Sequence, residues 1–244
     1  MDTPQRHRDH GSRFRGLCGL RGSVVIVFEF VAFLAIPLLL TASLLADDPR
    51  AEAMFRELEE KLLNEKSLRL RFKITSEGAV NSSLQGQLRL KSGNKVEIDV
   101  SGSFKSNPVS VHFESDGKKM RWALADRQID LETPKGLNQA IIVGFTRMGL
   151  LHNLAMILGG EPPDRADGTV EDWVQVSDFL FAAHDPSSKV RGRSIRFQIE
   201  VDGKGVGDAD YWISPLTRVP VERRQTVHLK TGDMKVVETY EFPD

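Results

Sequence analysis

From Leu68 onward the chain alternates between apolar and polar positions. Leu68, Leu70, Phe72 and Ile74 interleave with Arg69, Arg71, Lys73 and Thr75. Leu84, Leu88 and Leu90 interleave with Gln85, Gln87 and Arg89, and Val96, Ile98 and Val100 with Glu97, Asp99 and Ser101. Val109, Val111 and Phe113 repeat the pattern, followed by Met120, Trp122 and Leu124 and then Ile129 and Leu131. A period of two sends successive side chains to opposite faces, so each segment predicts a strand with one oily and one polar face. Ser92-Gly93-Asn94 and Asp116-Gly117 are turn sequences between them. The alternation returns late in the chain, over Asp172 to Phe181, Ile195 to Val201, Tyr211 to Ile213, Val219 to Lys230 and Met234 to Phe242. Gly203, Gly205 and Gly207 read as a loose turn, and Ser214 to Thr217 and Thr231 to Asp233 as two more. Strands oily on one face alone are the signature of an antiparallel sheet covered on one side.

Two stretches have helical spacing instead. Pro49 to Lys66 carries Met54, Phe55, Leu58 and Leu62 on one stripe and Glu52, Glu57, Glu59, Glu60 and Lys61 around it, an amphipathic helix started by Asp47-Asp48-Pro49. Leu137 to Leu158 is apolar nearly all round, with Arg147 its one charged residue, and it ends at Gly159-Gly160. A helix of that composition is buried on more than one side. If that helix is a lid, Arg147 and His152 are expected at a solvent-facing edge or a cavity mouth. A sheet of about 10–11 twisted strands curls. The expected fold is therefore α+β: a curved antiparallel sheet, an incomplete β-barrel, with both helices on its concave face.

Ahead of this lies a different kind of segment. Val24 to Ala46 is apolar apart from Glu29, Thr41 and Ser43, behind a flank that carries Arg6, Arg8, Arg13, Arg15 and Arg21. Basic residues before the run and Asp47-Asp48 after it place the N-terminus in the cytoplasm and the residues beyond the run outside it. The division is residues 1–46, a signal peptide or an N-terminal membrane anchor, and residues 47–244, one exported domain. Phe30 to Leu40 serves as the core of a cleaved leader, while the length of the full run suits an anchor. The product is either periplasmic or held at the inner membrane with its domain outside the cytoplasm.

Composition narrows the function. The chain has 33 basic and 34 acidic residues. The first 46 residues take five arginines and three acids with them, leaving 28 basic and 31 acidic residues, a balance with no attraction for nucleic acid. The single cysteine, Cys18, lies in the leader, so the domain has no disulfide or thiolate chemistry. His112, His152, His184 and His228 stand at no metal-ligand spacing, and His112 and His228 fall on polar strand faces. There is no Gly-x-Ser-x-Gly elbow, and Gly203 to Gly207 lacks the Lys-Ser/Thr of a phosphate loop. Glu222-Arg223-Arg224 reads as a short solvated charge run. No catalytic residue, metal or cofactor is expected.

Three local sequences add a family likeness. Glu114-Ser115-Asp116-Gly117-Lys118-Lys119-Met120-Arg121-Trp122 resembles a "DG-x-x-x-W" hairpin. Tyr211-Trp212-Ile213-Ser214-Pro215-Leu216-Thr217-Arg218-Val219-Pro220 resembles a "W-I-D-P-x-T-x-L-P" segment. A closing hairpin runs from Val221 to Phe242. With the order of elements, these make Pro49 to Phe242 similar to the LolA-like periplasmic lipoprotein carrier superfamily. The resemblance implies an incomplete barrel with a helical lid. It also implies an envelope protein, not an enzyme, that binds an acyl chain, lipid or lipoprotein as carrier or chaperone. An anchored sensing or protein-interaction domain on the same fold, with envelope membrane proteins as partners, is the alternative. Phe145, Met148 and Leu151 on the second helix, facing Leu88, Leu90, Trp122 and Leu124, are the expected pocket lining, and a monomer is the expected state.

Overall fold

The computed structural model describes residues 47–164, 174–182 and 192–243; the leader, the start of the strand expected from Asp172, and His184 lie outside them. Helix α1 (Pro49–Asn64) begins where Asp48 accepts the Arg50 amide at 2.9 Å and Pro49 takes the first turn. Six strands come next: β1 (Ser67–Gly78), β2 (Ser82–Lys91), β3 (Lys95–Phe104), β4 (Asn107–Asp116), β5 (Lys119–Leu124) and β6 (Arg127–Glu132). After the second helical stretch come β7 (Val174–Phe181), β8 (Arg193–Val201), β9 (Lys204–Ile213), β10 (Pro220–Leu229) and β11 (Gly232–Glu241).

All eleven strands form one antiparallel sheet, ordered β6-β5-β4-β3-β2-β1-β11-β10-β9-β8-β7. The chain meanders away on each side of the β1–β11 pair, which joins its two ends. Strands β6 and β7 are left as the edges of a barrel that does not close. The helical stretch is the segment of chain that runs from one edge to the other. Alternation along the strands is as expected: in β1 every second residue from Leu68 to Ser76 is buried. The oily residues of β1 to β5 and β7 to β11 share one core cluster with both helical regions, so the helices cover the same face. Phe55 of α1 packs on Phe179 and Phe197, with ring centres 5.3 and 5.0 Å away. Each such ring removed from water contributes about 1.5–3 kcal/mol.

Three expectations are corrected. The stretch 137–158 is not one helix but α2 (Leu137–Val143), a π-helical turn (Gly144–Met148) and α3 (Leu150–Gly159). The break falls at Gly149, whose φ of 88° and ψ of 157° are open to glycine and strained for other residues. Gly144 is needed too, because a Cβ there would meet Asn153 Oδ1 at 2.3 Å, and Asn153 is engaged with Ile141 O at 2.9 Å. The loose turn at Gly203 to Gly207 is shorter than expected: Gly205 and Gly207 already belong to β9, paired with β8 across a bulge. Glu222-Arg223-Arg224 is not a solvated run, since Arg223 is completely buried and Glu222 nearly so. Among the described residues no helix is long and apolar enough to cross a membrane.

Candidate functional site

The helical segment meets the sheet through oil on one side and through charge on the other. Leu88 and Leu90 of β2, Trp122 of β5, and Phe145 and Leu151 of the helical segment are buried, and Leu124 and Met148 are half-buried against the same cluster. Trp122 stacks obliquely on Phe113 at 5.2 Å and donates its indole N–H to Ile157 O at 3.0 Å, one of few directional ties there. All seven expected lining residues are members of the large core cluster that fills the covered face, and Phe145 is wholly enclosed there. Two clefts lie elsewhere. One of about 750 Å³ opens beside Arg69, Arg89, Leu90 and Lys95, and one of about 810 Å³ separates α1 from the β9–β10 turn.

On the β10–β11 side the contact is ionic. Arg223 and Glu238 are directly opposite each other on β10 and β11, both with no exposed surface. Arg223 donates to Thr146 O at 2.9 Å and Arg147 O at 2.7 Å, and its Nε to Gln225 at 3.0 Å. Glu238 accepts the amides of Leu150 and Leu151 at 2.9 and 2.8 Å. The cation therefore caps the carbonyl end of the π turn, and the anion caps the amide end of α3. Both are the favourable pairing with the helix dipole. Gly149 sits between them, and a Cβ on it would stand 3.0 Å from Glu238 Oε1 and 3.2 Å from Arg223 Nε. Tyr240 donates its hydroxyl to Glu238, and burial together with that carboxylate holds the phenol well above its ordinary pKa.

A buried ion pair ties the same turn to α1. Arg147 reaches Glu59 through Nη2 at 2.7 Å and Nε at 3.0 Å and gives Nη1 to Val174 O at 2.8 Å; Thr146 adds a bond to Glu59 at 2.6 Å. The expectation for Arg147 is a solvent-facing edge or a cavity mouth; the side chain is instead enclosed, because Glu59 and a strand carbonyl satisfy its donors. His152 is half-buried, with its amide on Gly149 O at 3.3 Å.

The sequence reading missed Glu59, Arg223 and Glu238, though a signal was present for two of them. Glu59 lies four residues after Phe55 and three before Leu62, on the apolar stripe of α1. Glu238 shares its strand face with Val236 and Tyr240. On the opposite, polar face, Glu97, Asp99 and His112 bring their ligand atoms within 4.8 Å of one another. They are engaged already, Glu97 with Arg89 at 2.8 Å, Asp99 with Gln87 at 2.7 Å and His112 with Asp99 at 2.7 Å, an arrangement sufficient without a metal.

The Trp212-to-Pro220 sequence builds the β9–β10 turn. Ser214 N donates to Val219 O at 3.0 Å, while Lys61 of α1 reaches Thr217 O at 2.7 Å and Arg218 pairs with Glu57. The Asp116-Gly117 hairpin is held by Asp116, which accepts the Lys118 and Lys119 amides at 2.7 and 2.8 Å.

No protein-family model matches the chain, and no curated protein matches it either. Solved structures do. The chain is similar to LprF from Mycobacterium bovis, with 11% identity and a TM-score of 0.41 over 80% of this chain and 93% of that one. It is similar to the LolA superfamily protein NE2245 from Nitrosomonas europaea, again with 11% identity and a TM-score of 0.41, over 78% of this chain and 91% of that one. A third likeness is to MucB, at 11% identity and a TM-score of 0.37, over 80% of this chain and 57% of that one.

Proposed function

We propose that the domain is a non-enzymatic envelope protein that holds an acyl chain, of a lipid or a lipoprotein, between the oily face of β2–β5 and the α2–α3 segment. The observation that carries this reading is the cover itself. An apolar segment, broken at Gly149, spans the gap between two unpaired sheet edges and lies on a face made of Leu, Ile, Val, Phe and Trp. The binding energy is burial of alkyl groups, about 0.8 kcal/mol for each CH₂ taken from water. Because the lining is packed when empty, the chain enters by displacing α3 from the strands. The mostly non-directional contacts on that side re-form around a guest, and the half-buried Met148 adapts to variable filling.

The test is titration of the purified protein with a fluorescent stearate, in wild type and in Met148→Asp. Saturable binding by wild type and its loss in a variant that still unfolds cooperatively is the expected result. A wild type that binds no acyl probe, with Met148→Asp unfolded, makes the segment core rather than cover. The anchored protein-interaction domain then takes its place.

A further inference from the structure

Tyr211 projects from β9 into the covered face with no exposed surface, and its hydroxyl has no hydrogen-bond partner among the described residues. Its neighbours are otherwise well satisfied. Tyr240 bonds Glu238, and Arg223 makes three bonds while its guanidinium lies 5.4 Å from the Tyr211 ring centre. Burial pushes the Tyr211 hydroxyl far above its usual pKa, and the charges of Arg223, Glu238 and Glu59 all act on it. It is thus a neutral donor standing at the edge of the ionic cluster. A buried hydroxyl without a partner is costly and calls for a reason.

We propose that Tyr211 and Arg223 together form the subsite for the polar head of the acyl ligand, and that this head is a neutral carbonyl, an ester or amide, rather than a free carboxylate. The inference rests on the acyl-binding function proposed for the domain. Arg223 spends two donors on Thr146 O and Arg147 O, carbonyls of the segment that moves when a chain enters. Once released, those donors and the Tyr211 hydroxyl present acceptor-seeking groups to one side of the guest. Apolar surface starts one residue from the Arg223 contact, because Phe145 precedes Thr146, whose carbonyl Arg223 holds, and stands edge-on against Tyr240 at 4.9 Å. Charge decides between heads. Arg147 and Arg223 balance Glu59 and Glu238, so a carboxylate would add an uncompensated buried charge, while an ester carbonyl accepts the same hydrogen bonds and adds none.

Tyr211→Phe deletes the oxygen and leaves the ring. The chain is expressed from its full coding sequence, purified in the form the cell delivers, and titrated at pH 8 with three fluorescent probes of equal length: an octadecanoate methyl ester, the free acid and the plain hydrocarbon. Wild type is expected to prefer the ester to the acid. Tyr211→Phe is expected to weaken the ester by about fivefold, the weight of one hydrogen bond, and to leave the hydrocarbon within about twofold. Its melting temperature should equal or exceed that of wild type. Equal changes for ester and hydrocarbon, or none, overturn the subsite while leaving acyl binding intact. A lower melting temperature also overturns it, since the hydroxyl then has a structural partner. Equal affinity for ester and acid, with both weakened, overturns the neutral head. A wild type that binds none of the probes overturns the acyl reading and this inference with it.

Discussion

The two halves of the covered face hold the helices by different physics. Under β2–β5 the strands offer the apolar side chains Leu88, Leu90, Ile98, Phe113 and Trp122 to the core, with the Trp122 indole as a directional bond to Ile157 of α3. Under β10–β11, and against α1, it is Arg223, Glu238 and Arg147, whose bonds to backbone groups of the helical segment and of β7 run from 2.7 to 2.9 Å, with Glu59 holding the Arg147 and Thr146 side chains. Apolar burial has no preferred direction, whereas a guanidinium bonded to two carbonyls does. The ionic half therefore sets where the segment sits, and the oily half sets how readily it leaves the strands. A fold meant only to be stable has little use for four charges in its core, because apolar substitutes are often as good or better. A fold whose cover must return to one place has a use for them.

The largest effects should come from breaking the ionic half. Arg223→Met leaves Glu238 buried without its cationic neighbour and two carbonyls without donors, and is expected to cost about 3–5 kcal/mol in urea unfolding. Adding Glu238→Gln to it should recover part of that loss, since the stranded charge is gone. If the two losses simply add, the pair is not acting as a unit.

Gly149→Ala comes next. It forces a side chain into positive φ and to within 3.0 Å of Glu238 Oε1, and should cost about 1–3 kcal/mol. On the oily half, Leu88→Met is expected to cost less than about 1.5 kcal/mol despite its burial, as volume-conserving swaps do. A larger cost than at Gly149 would reverse the comparison.

Much of this contrast was out of reach of a sequence reading. Alternation is a local property, so Leu68 to Ile74 or Val96 to Val100 disclose a strand and its inward face without knowledge of any partner. Four of the seven expected lining residues, Leu88, Leu90, Trp122 and Leu124, come directly from that parity. The ionic half depends on contacts across 76 to 88 positions, as from Arg223 to Arg147 and from Arg147 to Glu59, which no local period reports. Charged residues in a strand also read as solvent-facing unless parity is checked, and the shift in register at Pro220/Glu222 spoils the parity of β10. The helix break had a trace in Gly144 and Gly149 inside the apolar run. Its cause, a carboxylate and a guanidinium from the far end of the chain, had none.

The smallest effect expected is on the polar face and serves as a control. Asp99 hydrogen-bonds His112 and holds its imidazole above the usual 6.5, and His112 in turn holds Asp99 below 3.8. The raised histidine adds stability that is full below pH 6.5 and fades as pH rises through the folded value. The lowered aspartate adds stability present above 3.8 and lost as pH falls through its folded value. Both side chains are well exposed, so screening limits the pair to about 0.5 kcal/mol. His112→Asn should flatten the slope of stability between about pH 6 and 8 slightly and leave acyl binding unchanged. A change in binding would place the ligand on the wrong face of the sheet.

The central claim is that the segment leaves its place on the sheet to admit a chain, and the amides of Leu150 and Leu151 report on it because Glu238 holds them only while the segment is docked. Hydrogen exchange at these two amides, followed with and without saturating stearate, should show protection falling on binding, with the amides of β1 to β3 unchanged. Stearate bound with Leu150 and Leu151 as protected as before would contradict the account.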